Sequence, residues 1–250
     1  MLTLARDLKR RKARERSALF VSEGVRAVED LLRAALPISG VLATESVAEH
    51  PRGAALIAAV TARGLDVATV SEEEFKSAAD TEHPQGVLAI AEIPERTLSS
   101  LTPADLQRVL VLDGIQDPGN VGTLVRTAAA LGVQTLVALP GTADLWNAKV
   151  VRGAAGGHFH VNVMHAPLTE LLELLRAAGV PLWGADAAGR AVSSVRAPAS
   201  LAIAVGNEGA GLSAAVREAA AEFVSLPMTP GVESLNVGVA AGVLLYALSR

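Results

Sequence analysis

VLVLDGIQDPGNVGTLVRTA, residues 109–128, holds the fold in miniature. VLVLD (109–113) is an unbroken apolar run ending on an acid, the pattern of a strand buried on both faces. Gly114, Pro118 and Gly119 then punctuate the chain, and NVGTLVRTAAALG (120–132) spaces its apolar residues as a helix does, with Gly132 at its end. Two later stretches repeat this order of apolar run, Gly or Pro, and a few polar residues: LAIAVGNEGAGLS (201–213) and VSLPMTPGVESLNVGVAAG (224–242). An α/β domain builds its site from the loops at the carboxyl ends of parallel strands, so three such loops can converge on one ligand.

The same alternation extends outward. TLVAL (135–139), HVNVM (160–164), VPLWGAD (180–186), LAIAVG (201–206) and EFVSLP (222–227) read as strands. AKVVRGAAGG (148–157), PLTELLELLRAAG (167–179), LSAAVREAA (212–220) and residues 234–250 read as helices. The polar, Pro-containing stretch 94–107 reads as a linker, dividing the chain into domains 1–93 and 108–250. In the first domain, strands are expected at 18–22, 38–44, within DVATV and at 86–93. Helices are expected at 2–16, 23–36, 53–64 and from Ser71.

Composition narrows the function. The chain has 250 residues, half of them hydrophobic, with 3% aromatics and no Cys. The core is therefore aliphatic, stacking on aromatics is a poor route to nucleic acid, and disulfides, thiolate metal sites and Cys nucleophiles are excluded. The apolar runs are too short and interrupted to span a membrane, and the basic N-terminus lacks a signal-like apolar stretch, so a cytoplasmic protein is expected. Net charge is −4, yet Arg6, Lys9, Arg10, Arg11, Lys12, Arg14 and Arg16 crowd one segment against Asp7 and Glu15. That segment is either a phosphate-binding patch or a solvated helix face.

Each candidate residue has a structural alternative. GNEGAG, with Gly206, Gly209 and Gly211, can wrap a ligand through its main chain or be an ordinary turn. Asn120 suits an N-cap, as does Ser234 in the stretch Glu233, Ser234, Asn236. Arg126 is read near a helix start, where the macrodipole disfavours a cation, which hints at an anionic partner. Arg152 is either a phosphate ligand or a surface residue. His158, His160 and His165 lack supporting acids or thiols, so no metal is expected. The Walker, dinucleotide-binding and nucleophile-elbow patterns are absent.

The loop segments resemble the three motifs of the SpoU (TrmH-type) RNA ribose methyltransferases of the SPOUT superfamily. The residues that carry the resemblance are Asn120-x-Gly122-x-x-x-Arg126, Gly206-Asn207-Glu208-Gly209-x-Gly211-Leu212-Ser213, and Pro227-Met228 followed by Ser234-Leu235-Asn236-Val237. KVVRGAAGGHFHVNV (149–163) is similar to a further family segment. Lys12-Ala13-Arg14, Phe20 to Gly24, Arg26 and His83 to Val87 resemble the family's RNA substrate-binding domain.

The resemblance implies an α/β fold: a C-terminal parallel-sheet domain with a deep trefoil knot, an exception to the usual topology rules, and a small α/β N-terminal domain. It implies S-adenosylmethionine as cofactor, a homodimer, and methyl transfer to an RNA ribose 2′-hydroxyl. Large-subunit rRNA is favoured as target; tRNA, a non-catalytic RNA-binding role, and an unrelated Rossmann-type enzyme are the alternatives. It implies catalytic roles for Arg126, Asn120, Glu208, Ser234 and Asn236, with Glu208 orienting Arg126 through a bidentate pair. It implies cofactor contacts at Gly206, Leu226, Met228 and Leu235. RNA contacts are expected at Lys9, Arg10, Arg11, Lys12, Arg14, Arg26 and Arg152. A guanidinium stays protonated, so Arg126 is expected to stabilise an alkoxide or hold phosphate rather than act as a base.

Overall fold

The computed structural model describes residues 1–34, 36–229, 231 and 234–249. In chain order the elements are α1 (Leu2–Asp7), α2 (Arg11–Ser17), β1 (Leu19–Glu23), α3 (Val25–Arg33), β2 (Ile38–Ala43), α4 (Pro51–Ala62), β3 (Val67–Thr69), α5 (Glu72–Ala78) and β4 (Val87–Glu92). There follow β5 (Arg108–Asp113), α6 (Pro118–Ala130), β6 (Thr135–Ala138), α7 (Ala148–Ala154), β7 (Asn162–His165) and α8 (Leu168–Ala177). Last come β8 (Leu182–Ala191), β9 (Leu201–Gly206), α9 (Ala214–Ala219), β10 (Glu222–Ser225) and α10 (Val237–Leu248).

Contacts divide the chain into two compact units, Met1–Glu95 with Trp146–Phe159, and Arg96–Leu145 with His160–Arg250. The segment Trp146–Phe159, which sequence reading assigns to the second domain, packs with the first unit. There Trp146 meets Phe20 at 4.6 Å between ring centroids and the buried His158 at 4.9 Å. Residues 98–107 do not form a free tether. Leu106 is buried, and Leu98 and Leu101 pack on the core of the second unit.

The first unit holds a four-stranded sheet in the order β1-β4-β2-β3, antiparallel at β1/β4 and β4/β2 and parallel at β2/β3. Strand-like runs alternating with helices do not reveal this mixed pairing. The expected helix over 2–16 is broken. Arg14 is buried and donates to the carbonyls of Leu8 at 2.6 Å and Lys9 at 3.0 Å, so its guanidinium satisfies the carbonyls freed at the break.

The second unit is a six-stranded sheet in the order β10-β8-β9-β5-β6-β7, parallel throughout. Leu110, Val111 and Leu112 of β5 are fully buried, as a central parallel strand requires. From β5 the chain runs outward through β6 to β7, whereas β8, β9 and β10 lie on the other side. The switch point, where a crevice opens beyond the strand ends, therefore falls between β5 and β9. Asp113 and Gly206 are register partners there, so the two loops start side by side.

Candidate active site

The loop after β5 enters α6 through Asp117, whose carboxylate accepts from the amides of Gly119 at 2.5 Å and Asn120 at 3.2 Å, and Pro118 takes the first helical position. Asp-Pro is the stronger start signal, and it relieves Asn120 of the capping role that sequence reading allowed. The Asn120 side chain is thereby turned to other partners: its amide donates to Glu208, and its oxygen accepts from Asn236 Nδ2 at 2.9 Å. Asn236, not Ser234, is the N-cap of α10, accepting from Gly238 N at 3.0 Å and Val239 N at 3.3 Å. With its oxygen held by two backbone donors, the Asn236 amide can only present N–H to Asn120. The three loops are thus joined by one directional chain of donors, Asn236 to Asn120 to Glu208, ending on a carboxylate.

The GNEGAG loop closes on itself. Asn207 and Gly211 exchange backbone hydrogen bonds of 3.0 and 2.8 Å, Gly211 has φ +69°, and a side chain on Gly206 would run into the backbone of Gly211 and Leu212. Asn207 anchors the loop from both ends of its amide: Nδ2 donates to Gly114 O at 2.9 Å, and Oδ1 accepts from Gly209 N at 2.9 Å and Ala210 N at 3.1 Å. Asp113 accepts from Ser213 N at 2.6 Å. Sequence reading missed both anchors, although an acid ending a wholly apolar strand was a usable sign.

Arg126 is the ninth residue of α6, beyond its first turns, so the macrodipole argument for it fails. It is exposed and, among the described residues, makes no hydrogen bond or ion pair. The expected Glu208–Arg126 pair is not formed: one Glu208 carboxylate oxygen accepts from Asn120 instead. Along the helix Arg126 stands roughly 9 Å from Asn120, at 1.5 Å per residue. Ser234 is exposed, and Glu233 lies outside the described residues.

Gly206, Leu226, Met228 and Leu235 come together in one cleft of about 200 Å³ at the ends of β8, β9 and β10. Its walls are mainly apolar, with Val205, Val224 and Leu244 among them. Asp186 and Glu208 are its only charged residues among those described. Asp186 lies where β8 loops out against β10: Gly184 is opposite Phe223, yet Arg190 is opposite Val224. Its carboxyl is held below the usual carboxylate range, first by the Ala188 amide and then by Arg217. These residues suit a flat ligand that carries positive charge. Beside the cleft α10 packs on α6, where a side chain at Gly238 would come within 2.7 Å of Thr123.

The basic residues of the first unit are unevenly free. Lys9 donates to Ser77 O at 2.9 Å, Arg11 pairs with Glu15 at 2.7 Å, Arg10 lies 4.0 Å from Asp7, and Arg152 pairs with Asp80 at 2.9 Å. Lys12 and Arg26 are exposed and make no hydrogen bond or ion pair among the described residues. Arg14 is enclosed and spent on backbone carbonyls, so it leaves the phosphate-binding set. Among the described residues no group of His, Asp and Glu could hold a metal. His165 instead accepts from Leu145 N at 3.4 Å.

The chain is similar to known proteins over nearly its whole length. The SpoU rRNA methylase family model matches residues 107–246, and the MRM3-like substrate-binding domain model matches residues 4–89. The 23S rRNA (guanosine(2553)-2′-O)-methyltransferase RlmP of Bacillus subtilis is 36% identical over 97% of this chain and 93% of its own. An AdoMet-bound rRNA methyltransferase from Sinorhizobium meliloti has a TM-score of 0.86 at 27% identity, covering 99% of this chain and 93% of the other. The SpoU methyltransferase AviRb of Streptomyces viridochromogenes, in complex with the cofactor AdoMet, has a TM-score of 0.85 at 27% identity, covering 100% and 97%.

Proposed function

The chain belongs to the SpoU rRNA methylase family, and from that premise we propose that it is an S-adenosylmethionine-dependent methyltransferase of a ribose 2′-hydroxyl in large-subunit rRNA. The observation that carries this is that the second and third motif loops line one cleft and that Asn120 of the first is tied to both by the Asn236–Asn120–Glu208 chain. With membership comes the family's trefoil knot, and with the whole-length relative comes the preference for rRNA over tRNA.

A ribose hydroxyl is a weak nucleophile until its proton is drawn off, so the site must accept that proton or stabilise the alkoxide. S-adenosylmethionine, when bound, supplies an activated methyl on a cationic sulfonium. Gly206, Leu226, Met228 and Leu235 would hold it, and the acid-only charge of the cleft suits that cation. Glu208 has one carboxylate oxygen engaged by Asn120 and the other open to accept a hydrogen bond from the hydroxyl. Asn120 and Asn236 fix that carboxylate in place. Arg126, always protonated, holds phosphate and steadies developing negative charge. Ser234, exposed at the foot of α10, adds a neutral hydrogen bond.

In this reading residues 1–93, together with Trp146–Phe159, bind the RNA, and the rest of 108–250 catalyses. Lys9, Arg10, Arg11, Lys12, Arg26 and Arg152 are the cations offered to phosphate. The working form is a homodimer. Its support is the exposed apolar row Val239, Val243 and Tyr246, at helical spacing on α10, with Leu235 beside it. No described helix is long and apolar enough to cross a membrane, and in this reading the enzyme works on rRNA in the cytoplasm.

The test is incubation of an unmodified 23S rRNA transcript with the protein and labelled S-adenosylmethionine, followed by mapping of 2′-O-methyl sites. One modified ribose is expected. Methylation of tRNA with none on the transcript would move the target to tRNA, and cofactor binding with no transfer to either would mark a non-catalytic member.

A further inference from the structure

The first unit contains an open cavity of about 690 Å³ whose lining includes none of the three methyltransferase motifs. Two helices start on it. Arg26 is the second residue of α3 and Arg52 the second residue of α4, and both belong to its lining with His50, Val25, Pro84 and Gln85. No carboxylate lines it among the described residues. Neither helix has an acid in its first turn or a side-chain bond from its N-cap residue, Gly24 or His50. Cations at the positive ends of two helices are unfavourable unless an anion shares the space.

The polar side chains there are oriented. Gln85 Oε1 accepts from Val25 N at 3.0 Å, which leaves the amide N–H groups of Gln85 as donors with no partner among the described residues. Arg52 is held edge-on by Glu29, with Nε to Oε1 at 2.9 Å and Nη2 to Oε2 at 2.5 Å, leaving its Nη1 side unused by that pair. Arg52 in turn keeps the Glu29 carboxyl below its ordinary range. Arg26 and His50 are exposed and make no hydrogen bond among the described residues; Arg26 acts on Glu29 only as a neighbouring charge. Pro84, Val25 and Val47 supply an apolar wall.

We propose that this cavity takes one unpaired nucleotide of the RNA, its phosphate between Arg26 and Arg52 and its base against Pro84 and His50 with Gln85 donating to it. The inference rests on the RNA methyltransferase reading and moves the main RNA contact away from the basic N-terminal helices, whose Arg14 is buried and whose Lys9 and Arg11 are engaged within the protein. A planar base against a ring and an apolar wall, with cations on its phosphate, is a sequence-tolerant way to hold a single strand.

The experiment measures binding of an unmodified 23S rRNA transcript by filter retention from 50 to 200 mM salt, with S-adenosylmethionine affinity measured by calorimetry in parallel. The proteins are the wild type, the Arg26→Ala/Arg52→Ala double variant, and Gln85→Glu. The last keeps the acceptor for Val25 N while replacing the donor end with a carboxylate oxygen, so it tests the cavity without removing the Val25 contact. The double variant is expected to lose about tenfold in RNA affinity and about 0.7 in salt slope, for one single-strand phosphate. Gln85→Glu is expected to weaken RNA binding, and cofactor affinity should stay the same in both. Wild-type binding with undiminished affinity in both variants overturns the inference and leaves the methyltransferase reading intact. Saturable binding of free 5′-GMP that leaves RNA affinity untouched overturns it in favour of a mononucleotide site. A wild type that binds cofactor but no RNA overturns the inference together with the reading beneath it.

Discussion

The two clefts of this protein are opposite in chemistry. That of the first unit is lined by Arg26, His50 and Arg52 with no described carboxylate, whereas that of the second is lined by apolar side chains with Asp186 and Glu208 and no described Lys or Arg. A polyanion and a small cation can therefore be bound by one chain of net charge −4 without competing for the same surface. The difference also shows why net charge is a poor guide here. Each cleft owes its sign to a few residues, and the charges most conspicuous in the sequence, on α1 and α2, belong to neither lining.

Arg126 lies outside both linings, so it tests the division most sharply. Arg126→Ala should lower 2′-O-methyl transfer to a 23S rRNA transcript by about 10²–10³-fold, the range for loss of one group that stabilises developing negative charge. S-adenosylmethionine affinity, measured by calorimetry, should remain within about twofold. Loss of cofactor binding would assign Arg126 to the apolar cleft, and near-normal turnover would remove it from the chemistry.

Salt separates the clefts by a smaller factor. Phosphate contacts release counterions and a pocket of apolar walls does not. Between 50 and 200 mM salt, RNA affinity of the wild type should fall by about tenfold, as expected for roughly three single-strand contacts. Cofactor affinity over the same range should change by less than about twofold. Equal slopes would mean that the two linings do not do different work.

Much of the second unit could be read from the chain because its strands are continuous apolar runs: Arg108–Asp113 and Leu201–Gly206 lie within a residue of their expected bounds. Loop positions follow from such strands, whereas Gly206, Leu226, Met228 and Leu235, which share a cleft, came from the family resemblance. What could not be read depends on partners far along the chain. Periodicity cannot show that Trp146–Phe159 packs on β1, nor that β4 inserts between β1 and β2. The basic helix looked continuous because charge has no register, and the break at Leu8 is visible only once Arg14 is seen folded back on its carbonyls. The cationic cavity brings together Arg26, His50, Arg52 and Gln85 from three separate segments; Arg26 and Gln85 lie in stretches that resemble the substrate-binding domain, whereas His50 and Arg52 carry no such sign.

Asn120 is the most instructive residue, because capping, the structural alternative that its type offered, is done by Asp117 three positions earlier. Asp117→Ala therefore makes the finest test. Losing an N-cap carboxylate costs about 1 kcal/mol, which denaturant unfolding should report as a lower midpoint with unchanged slope. The amides of Gly119 and Asn120 would then compete for another acceptor, and the nearest polar side chain in sequence is that of Asn120 itself. Turning that side chain inward would take it from Glu208 and Asn236, so methyl transfer should fall by more than the stability loss accounts for. The cationic cavity has no link to this cap, and RNA affinity should hold. A variant that loses stability and keeps full turnover would show that the Asn236–Asn120–Glu208 chain does not depend on how α6 begins.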